Sequence, residues 1–222
     1  MITIIIPVLN EEEILRRDEQ YFAGLSAAAD VVFVDGGSND KTVELAGRLG
    51  RILQTARGRG IQKNFGAKNS HNLYLLFLHA DSRIDVNALP GIAEALGEGF
   101  AAGCFRLKVD DRRGVFRFYE WLVNFRAKRL GIIDGDLGMF IRKDVFEQIG
   151  FFADMPIMED IEFSKRLARY AKLKILNDSI RVSSRKWDEL GFWHTLGVYS
   201  ATYIKYWLGH DFKAAPEARY EQ

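Results

Sequence analysis

Cysteine is almost absent from this chain of 222 residues, in which Cys104 is the only one. A single cysteine excludes an internal disulfide framework and a cysteine-rich zinc site. The first residues, MITIIIPVLN, also lack the basic stretch and the small-residue cleavage site of a signal peptide. Both features lead us to expect a cytoplasmic protein.

An excess of charge of either sign is missing as well. Lys and Arg number 31 against 30 Asp and Glu, which leaves a net charge of +1 at pH 7. The chain has no overall positive charge that would favour binding to DNA or RNA, so we expect no nucleic-acid partner. Apolar runs long enough to span a membrane are also lacking, since such a span needs roughly 20 residues. Any binding that depends on charge must therefore be local.

What the sequence does contain is a regular alternation of apolar runs and amphipathic stretches in its first hundred residues. This pattern predicts strands and helices in turn, arranged as right-handed βαβ units around a mostly parallel sheet. The predicted strands are ITIIIPVL, DVVFVDGG, RILQT and LYLLFLHADS, and the predicted helices are residues 11–29, NDKTVELAGRLG and GIQKNFGAKN.

The second half of the sequence is less regular but remains mixed α/β. We predict strands at AGCFRLKV and KLKILND, a strand leading into a helix at GMFIRKDVFEQIG, and helices at 113–130, 159–171 and 190–208. No linker and no repeat of fixed period interrupts the chain, and 48% of its residues are hydrophobic. One α/β domain over residues 1–222 is therefore expected.

Polar or glycine-rich segments follow each of the first four predicted strands. Pro7 precedes NEEE, Asp35 precedes Gly-Gly-Ser, ARGRGIQKN follows the third strand, and the fourth ends in His79 and Asp81. In an open α/β sheet these strand ends converge on one edge, which predicts a binding cleft there. Taken singly, each segment could also be a helix cap or a turn.

Five motifs occur together in an order that is typical of one enzyme family: PVLNEE, DGGSNDKT, GRGIQKNFGA, LHADS and MEDIEF. From Ile4 to about Trp187 the chain resembles family 2 glycosyltransferases of the GT-A fold. It looks closest to a small bacterial branch that carries DGGS where many relatives carry two aspartates and a glycine. The resemblance implies a GT-A type α/β fold, with a mostly parallel, Rossmann-like sheet flanked by helices. Residues 1–100 would form the nucleotide-binding half, and 101–222 the acceptor-binding half with a C-terminal helix.

For the donor, the resemblance implies a nucleotide sugar, in the first place a UDP-sugar. The residues matching Pro7 and Glu11 line the nucleoside pocket in similar enzymes, and the one matching Asp35 hydrogen-bonds the uracil. Arg59 stands at a glycine-flexed helix start and could approach the pyrophosphate, helped by the helix dipole, with Gln62 one turn further in. A solvated basic loop is the alternative for Arg59.

For the metal, the family pattern has a carboxylate, any residue and a second carboxylate, whereas this chain has His79 and then Asp81. Mg²⁺ and Mn²⁺ can be held by one carboxylate together with substrate phosphates. We therefore expect Asp81 to be the metal ligand, with His79 in the nucleotide shell. A manganese ligand, a ribose contact and a packing residue remain open for His79.

For catalysis, Asp160 in MPIMEDIEFSKRL matches the family's general base, which accepts the proton of the acceptor hydroxyl during an inverting displacement. Glu159 beside it is the next candidate and is grouped with the acceptor side. Stabilisation of the helix dipole is the alternative for both carboxylates.

On the acceptor side, the resemblance places Gly135 and Asp136 facing the acceptor. In SSRKW, Arg185 could contact the diphosphate and Trp187 could stack on a sugar face. A packed arginine and tryptophan pair is the alternative reading of these last two residues.

The segment 112–130, RRGVFRFYEWLVNFRAKRL, interleaves six basic residues with an aromatic stretch. Such a helix can lie in the interface of an anionic membrane, although core packing also accounts for its apolar residues. Many family members glycosylate lipid-linked acceptors. We therefore predict peripheral contact of this helix, and of the aromatic helix at 190–208, with the inner face of the membrane.

Together these features predict an inverting, metal-dependent hexosyltransferase-type enzyme that uses Mg²⁺ or Mn²⁺. The alternative is a nucleotide-sugar binding protein with weak or lost turnover, motivated by His79. A nucleotidyltransferase is disfavoured, because the acidic segment PVLNEEE stands where a triphosphate would require a basic, glycine-rich loop. The sequence specifies neither the sugar, the acceptor nor the oligomeric state.

Overall fold

Seven strands form one sheet at the centre of the protein, in a computed structural model that describes residues 1–184, 187–188 and 191–209. The strands are β1 (Ile2–Val8), β2 (Asp30–Asp35), β3 (Arg51–Gln54), β4 (Tyr74–Phe77), β5 (Ala102–Val109), β6 (Phe140–Arg142) and β7 (Leu173–Val182). The helices are α1 (Glu12–Arg17), α2 (Glu19–Ala28), α3 (Thr42–Leu49), α4 (Arg59–Lys68), α5 (Leu89–Gly97), α6 (Gly114–Leu130), α7 (Lys143–Ile149), α8 (Glu159–Tyr170) and α9 (Phe192–Trp207). Short 3₁₀ turns occur at Val86–Ala88 and Gly135–Leu137.

The strand order is β3-β2-β1-β4-β6-β5-β7. Strands β1 to β4 pair in parallel, and β5 pairs in parallel with β7. Strand β6 is antiparallel to both of its neighbours, β4 and β5. The predicted α/β fold with a mostly parallel sheet is confirmed, and strands from both halves of the chain share that sheet.

The core lies on both faces of the sheet, because helices cover both. Alternate residues of β1 point to opposite faces, so Ile4 and Ile6 pack with the residues of α1, α2, α3 and α5, while Ile5 packs with those of α4 and α6 to α8. Burial on both faces explains why β1 reads as a continuous apolar run. Apolar contacts occupy these two faces, so the polar chemistry is found at the carboxyl ends of the strands.

Two helices differ from the sequence-based prediction. The predicted helix over 11–29 is divided into α1 and α2 at Asp18, where the backbone leaves helical geometry (φ −113°, ψ 26°). The Asp18 carboxylate accepts hydrogen bonds from its neighbour Arg17 and from the distant Arg83, so this residue ties a remote side chain to the break. Helix α5 was not predicted; Pro90 stands in its first turn, where proline fits a helix but weakens the sequence pattern.

Candidate active site

The loops that follow β1 and β2 are tied together by Asn10. Its backbone N–H donates to Ser38 Oγ at 2.9 Å, and its side-chain Oδ1 accepts from the Asn39 N–H at 3.0 Å. Asn10 adopts a left-handed conformation with φ of 55°. Its side chain therefore joins two strand ends, and the first turn of α1 is capped by Asp40, whose Oδ2 accepts from the Glu12 N–H at 3.2 Å.

Asp35 organises the DGGS loop at the end of β2. Its buried carboxylate accepts from the N–H groups of Gly37 and Ser38, each at 3.1 Å, and from Ser38 Oγ at 2.5 Å. Gln54 Nε2 donates to the same carboxylate at 3.3 Å. Gly37 has φ of 99°, a conformation that favours glycine. Asp35 thus fixes the shape of the loop at the carboxyl edge of the sheet.

Gln62 supports this edge from the first turn of α4. Its buried Nε2 donates to Val8 O at 2.9 Å and to Val34 O at 2.7 Å, joining the ends of β1 and β2. A Cβ at Gly36 would lie 3.1 Å from the Gln62 amide, so the loop passes very close to it. Pro7, half-buried at the end of β1, is in register with Val34.

Four of the predicted donor residues interact electrostatically at this edge. Burial, and then the nearby Asp81 carboxylate, raises the pKa of Glu11 to about 7 against the lowering effects of Arg59 and His79. Arg59 and Asp81 are exposed, whereas Glu11 is partly buried. The edge therefore offers a cation for a phosphate, a carboxylate for a metal, and a carboxyl group that titrates near neutral pH.

A second cluster contains His79, Gly135, Asp136 and Asp160. His79 Nδ1 lies 3.2 Å from Asp136 Oδ1, and the Gly135 N–H donates to Asp160 Oδ2. A Cβ at Gly135 would lie 2.7 Å from His79 Cε1 and 3.1 Å from Asp160 Oδ2. Only glycine fits between the imidazole and the carboxylate, so residue 135 sets their spacing.

One ring nitrogen of His79 is unpaired in this cluster. Because a carboxylate only accepts, Nδ1 carries a proton and donates to Asp136 Oδ1. Nε2 is buried and has no hydrogen-bond partner within the described part of the chain. A buried polar nitrogen without a partner is costly in a folded protein, which favours a ligand or water at this position.

The two adjacent carboxylates at the start of α8 differ in their surroundings. Burial, then the Glu159 charge, raises the pKa of Asp160, against the opposing effect of Lys63 and two backbone N–H groups. Glu159 Oε1 lies 2.9 Å from Lys63 Nζ, and these side chains are 4% and 1% exposed. Burial would raise the pKa of Glu159, but Lys63 and Arg59 outweigh it, so that pKa lies below its ordinary value. Asp160 is thus suited to accept a proton, while Glu159 is held as a buried anion.

Three residues beside this cluster were not predicted from the sequence: Arg126, Asp134 and Tyr203. Arg126 and the Tyr203 hydroxyl both donate to Asp134, and the Arg126 guanidinium lies 4.5 Å from the centre of the Tyr203 ring. Tyr199, one turn earlier in α9, has its pKa raised to about 12 by burial and by Asp136. Helix α9 therefore reaches the cluster that contains Asp136 and Asp160. The spacing of Tyr199 and Tyr203, which places both on one face of the predicted helix, was the sequence signal that could have indicated this.

Trp187 lies in an aromatic cluster beneath α9. It is 6% exposed, its ring stacks on Phe192 at 5.2 Å, and it contacts Tyr119 and Tyr199 edge-on at 4.9 and 5.5 Å. These contacts correspond to the packing alternative for Trp187. Arg185 lies outside the described residues.

Few side chains at this site could coordinate a metal ion. In residues 1–184, 187–188 and 191–209 there is no group of three or more His, Cys, Asp or Glu side chains that could hold a metal ion. The exposed Asp81 carboxylate has one weak contact, with Ser82 Oγ at 3.5 Å. A single available carboxylate fits a cation that is shared with phosphate oxygens of a ligand, and does not fit an all-protein cage.

Comparison with known proteins identifies sequence relatives. Residues 3–150 match the family model Glycosyl transferase family 2. The chain is 31% identical to an undecaprenyl-phosphate 4-deoxy-4-formamido-L-arabinose transferase of Pseudomonas paraeruginosa, over 64% of this chain and 46% of that protein. A protein of the same name from Pseudomonas aeruginosa is 30% identical, with the same coverage. The chain thus spans less than half the length of these curated relatives.

Solved structures share the fold. Staphylococcus aureus TarS 1–349 in complex with UDP-GlcNAc gives a TM-score of 0.64 at 18% identity, over 82% of this chain and 58% of that one. The mannosyltransferase PcManGT of Pyrobaculum calidifontis, in complex with GDP-Man and Mn²⁺, gives 0.62 at 16% identity, over 81% and 56%. These likenesses confirm the predicted GT-A type of the fold.

Proposed function

The chain belongs to glycosyltransferase family 2, and from this membership we propose that it transfers a hexose from a nucleotide sugar to an acceptor hydroxyl with inversion. The observation that carries the proposal is the meeting of two clusters around His79. Glu11, Arg59 and Asp81 interact on one side, and Asp160 lies beyond Gly135 on the other. A donor phosphate and a proton acceptor would therefore meet at one sheet edge.

The donor in this proposal is a UDP-sugar. Pro7 and Glu11 line the nucleoside pocket, and Asp35 contacts the uracil through the DGGS loop that its carboxylate organises. Gln62 holds the strand ends beneath that loop, and Arg59 at the start of α4 binds the pyrophosphate. The UDP-GlcNAc bound to TarS, a protein of the same fold, supports a uridine nucleotide.

Asp81 is the proposed ligand of Mg²⁺ or Mn²⁺, with His79 beside it in the nucleotide shell. A bound cation would neutralise charge on the diphosphate leaving group. Support comes from the exposed Asp81 carboxylate and from the Mn²⁺ complex of PcManGT. Arg59 supplies a second positive charge to the same phosphates.

Transfer would take place as a single displacement. The acceptor oxygen forms a bond to the anomeric carbon as the bond from that carbon to the diphosphate oxygen breaks, and Asp160 takes the hydroxyl proton. Its raised pKa suits this role, because a base works best when its pKa approaches the working pH. Glu159 and Lys63 position Asp160 through α8, while Gly135 and Asp136 face the acceptor. Trp187 supports α9 through its ring contacts with that helix. Arg185 contacts the diphosphate in this proposal.

We place the enzyme in the cytoplasm, at the inner face of the membrane, with a lipid-linked acceptor. The curated relatives are named as transferases acting on undecaprenyl phosphate, which supports such an acceptor. No helix in the described ranges has the length and apolarity to cross a membrane. Contact with the bilayer would therefore be peripheral for this part of the chain.

A nucleotide-sugar binding protein with weak or lost turnover is the second candidate. The observation that favours it is His79 at the position of the first family carboxylate. The presence of Asp81 and Asp160 at the site opposes it, because a binding protein needs no proton acceptor beside the sugar.

The test is a thermal-shift panel of nucleotide sugars with purified protein, followed by incubation of the best donor with polyprenyl phosphate and with simple sugars. We expect uridine nucleotides to stabilise the protein most, and NMR of the product to show an inverted anomeric centre. Binding without transfer to any acceptor would favour the second candidate. A retained anomeric configuration would contradict Asp160 as the base of a single displacement.

A further inference from the structure

A groove of about 1250 Å³ lies away from the candidate active site, beside the C-terminal ends of α6 and α8. The residues that line it include the first residues of β7 and several long basic side chains. Nine residues of α8 separate Asp160 from Arg169 at the groove, which corresponds to roughly 14 Å along the helix. The groove is therefore a different site from the one that holds the nucleotide.

The charge of the groove is of one sign. Five of the residues that line it are Arg or Lys and none is Asp or Glu: Arg106, Lys128, Arg129, Arg169 and Lys172. This imbalance is local, because the whole chain has 31 basic and 30 acidic residues. The groove thus concentrates positive charge that composition alone does not predict.

In the part of the chain that the structure describes, these five cations have no acidic partner. No carboxylate of the described residues forms an ion pair with any of them; Arg106 donates to the neutral Asn177 Oδ1 at 2.7 Å, and Arg129 lies 5.9 Å from the Phe125 ring centre. Glu98 lines a small adjoining pocket together with Lys172, and its carboxylate pairs with Lys174 at 3.6 Å. Their charge is therefore available to an anionic ligand.

An exposed aromatic stripe adjoins the groove. It consists of Phe118, Trp121, Leu122 and Phe125, which share one face of α6 and are 41 to 60% exposed. Trp121 stacks with Phe118 at 5.9 Å and with Phe125 at 5.5 Å, and both Trp121 and Phe125 also line the groove. The aromatic stripe and the groove form one continuous surface.

The unpaired positive charge lies at a different place on this surface from the one that the sequence predicted. Arg113 pairs with Asp111 at 2.7 Å, Arg117 pairs with Glu120 at 2.8 Å, and Arg126 pairs with Asp134. Three of the six basic residues predicted along 112–130 are thus neutralised within the protein. Of the other three, Lys128 and Arg129 lie at the C-terminal end of α6. Arg106 of β5, Arg169 of α8 and Lys172 add to their charge there.

We propose that this groove binds the anionic headgroups of a bilayer while the aromatic stripe inserts at the level of the acyl chains. Cations beside exposed aromatic rings match an anionic membrane surface in both of its properties. A free phosphate would use the cations but leave the stripe exposed to water. A second copy seated symmetrically would bring five cations against five others. Only the membrane location rests on the proposed function; the groove's chemistry does not.

The test is flotation of the full chain with vesicles of phosphatidylcholine containing phosphatidylglycerol, and with phosphatidylcholine alone. We expect binding to the anionic vesicles that weakens at high salt. The variant Arg169→Gln/Lys172→Gln should bind roughly 25-fold more weakly, since each basic residue at a lipid surface contributes about fivefold. The matched control Arg16→Gln/Arg48→Gln removes the same charge from α1 and α3, near the other end of the sheet, and should bind like the parent.

A second variant, Trp121→Ser/Phe125→Ser, keeps every cation and should also bind weakly, with circular dichroism to establish folding. Equal weakening by the groove variant and by the control would overturn the proposal, as would equal binding to both vesicle types. A dimer in sedimentation velocity that Trp121→Ser/Phe125→Ser dissociates would assign the surface to a second copy. Competition by millimolar inorganic phosphate, with the aromatic variant unaffected, would assign it to a soluble anion.

Failure of this proposal can be separated from failure of the glycosyltransferase proposal. UDP binding, measured by calorimetry without vesicles, should be the same in the parent and in the groove variant. Normal UDP binding with no vesicle binding would overturn the groove proposal alone. Vesicle binding that depends on the groove, with no nucleotide binding, would overturn the proposed function alone.

Discussion

At the scale of single residues, a substitution of Asp160 distinguishes a catalytic role of this carboxylate from a structural one. Asp160→Asn keeps the shape of the side chain and one of its two hydrogen-bond acceptors, but it removes the basicity. We expect donor affinity to stay nearly unchanged while transfer falls on the order of a hundredfold or more. Calorimetry with UDP and a transfer assay measure the two effects.

The matched control for this change is Glu162→Gln. Glu162 stands in the same first turn of α8 and pairs with Arg166 at 2.7 Å, away from Gly135. It should leave transfer within a few-fold of the parent. If Asp160→Asn does the same, Asp160 only stabilises the helix start, and Glu159 becomes the next candidate.

Glu11 predicts a pH dependence of nucleotide binding, because its pKa is raised to about 7. Below that pH the carboxyl group is neutral; above it, Glu11 adds a negative charge near Asp81 that repels a diphosphate. Affinity for UDP should fall as the pH rises from 6 to 8. In Glu11→Gln this decrease in affinity should be smaller by a factor of roughly three to ten. Calorimetry with chelator at three pH values measures it, and parallel profiles of the two proteins would exclude Glu11 as the cause.

The sequence motifs predicted which segments would lie at the site, but not which side chains would pair there. The strand-end rule predicted that the segments carrying Glu11, Arg59, His79 and Asp81 would converge on one edge, because every parallel strand brings its carboxyl end there. The pairing of Glu159 with Lys63 joins residues that are distant in sequence, and no local pattern marks it. Side-chain partners of this kind depend on packing between helices, which periodicity does not encode.

At the scale of elements, the buried pair between Lys63 and Glu159 joins α4 to α8. Lys63→Met leaves a buried carboxylate without its partner, which should lower the free energy of unfolding by ~3–5 kcal/mol. Lys63→Met/Glu159→Met removes both charges and should recover most of that loss. Urea unfolding measures both variants.

The control is Arg48→Met, which breaks an exposed pair with Glu44 within α3. Exposed pairs contribute only ~0–1 kcal/mol, so this change should have little effect. An equally small effect of Lys63→Met would show that the interior pair is not a significant link between the helices.

Strands and helices could be predicted where the local pattern of apolar residues was strong. The apolar runs of β1, β2 and β4 are continuous, and their positions agree with the prediction. The division between α1 and α2 was missed, because Asp18 stands in a segment whose helical composition is otherwise unbroken. Its partner Arg83 lies 65 residues away, a contact that no local pattern could reveal.

At the scale of the whole molecule, ligand binding should appear as added global stability. Saturation with UDP and Mn²⁺ at about a hundred times the dissociation constant should add ~2.7 kcal/mol to the free energy of unfolding. Asp81→Asn should lose the part that depends on metal and keep the part that does not. Asp178→Asn, which changes an exposed carboxylate of β7, should behave like the parent. Equal stabilisation with chelator and with metal would rule out Asp81 as a ligand.

The sheet order was the least predictable feature of the molecule. Alternation of strands and helices correctly predicted a mostly parallel sheet. It did not predict that β6, three residues long, would run antiparallel between β4 and β5. Pairing between strands far apart in sequence is decided by tertiary packing, so composition and periodicity carry little information about it.

The position of β6 also affects how the chain can fold while it is being synthesised. β5 leaves the ribosome before β6, yet it can join β4 only through β6. At roughly 5–20 residues per second, the hydrogen-bonding edge of β4 therefore stays open for several seconds of translation. An open edge of this kind can pair with another polypeptide. Nascent chains that stall between β5 and β6 should thus be the most prone to aggregate and the most dependent on chaperones.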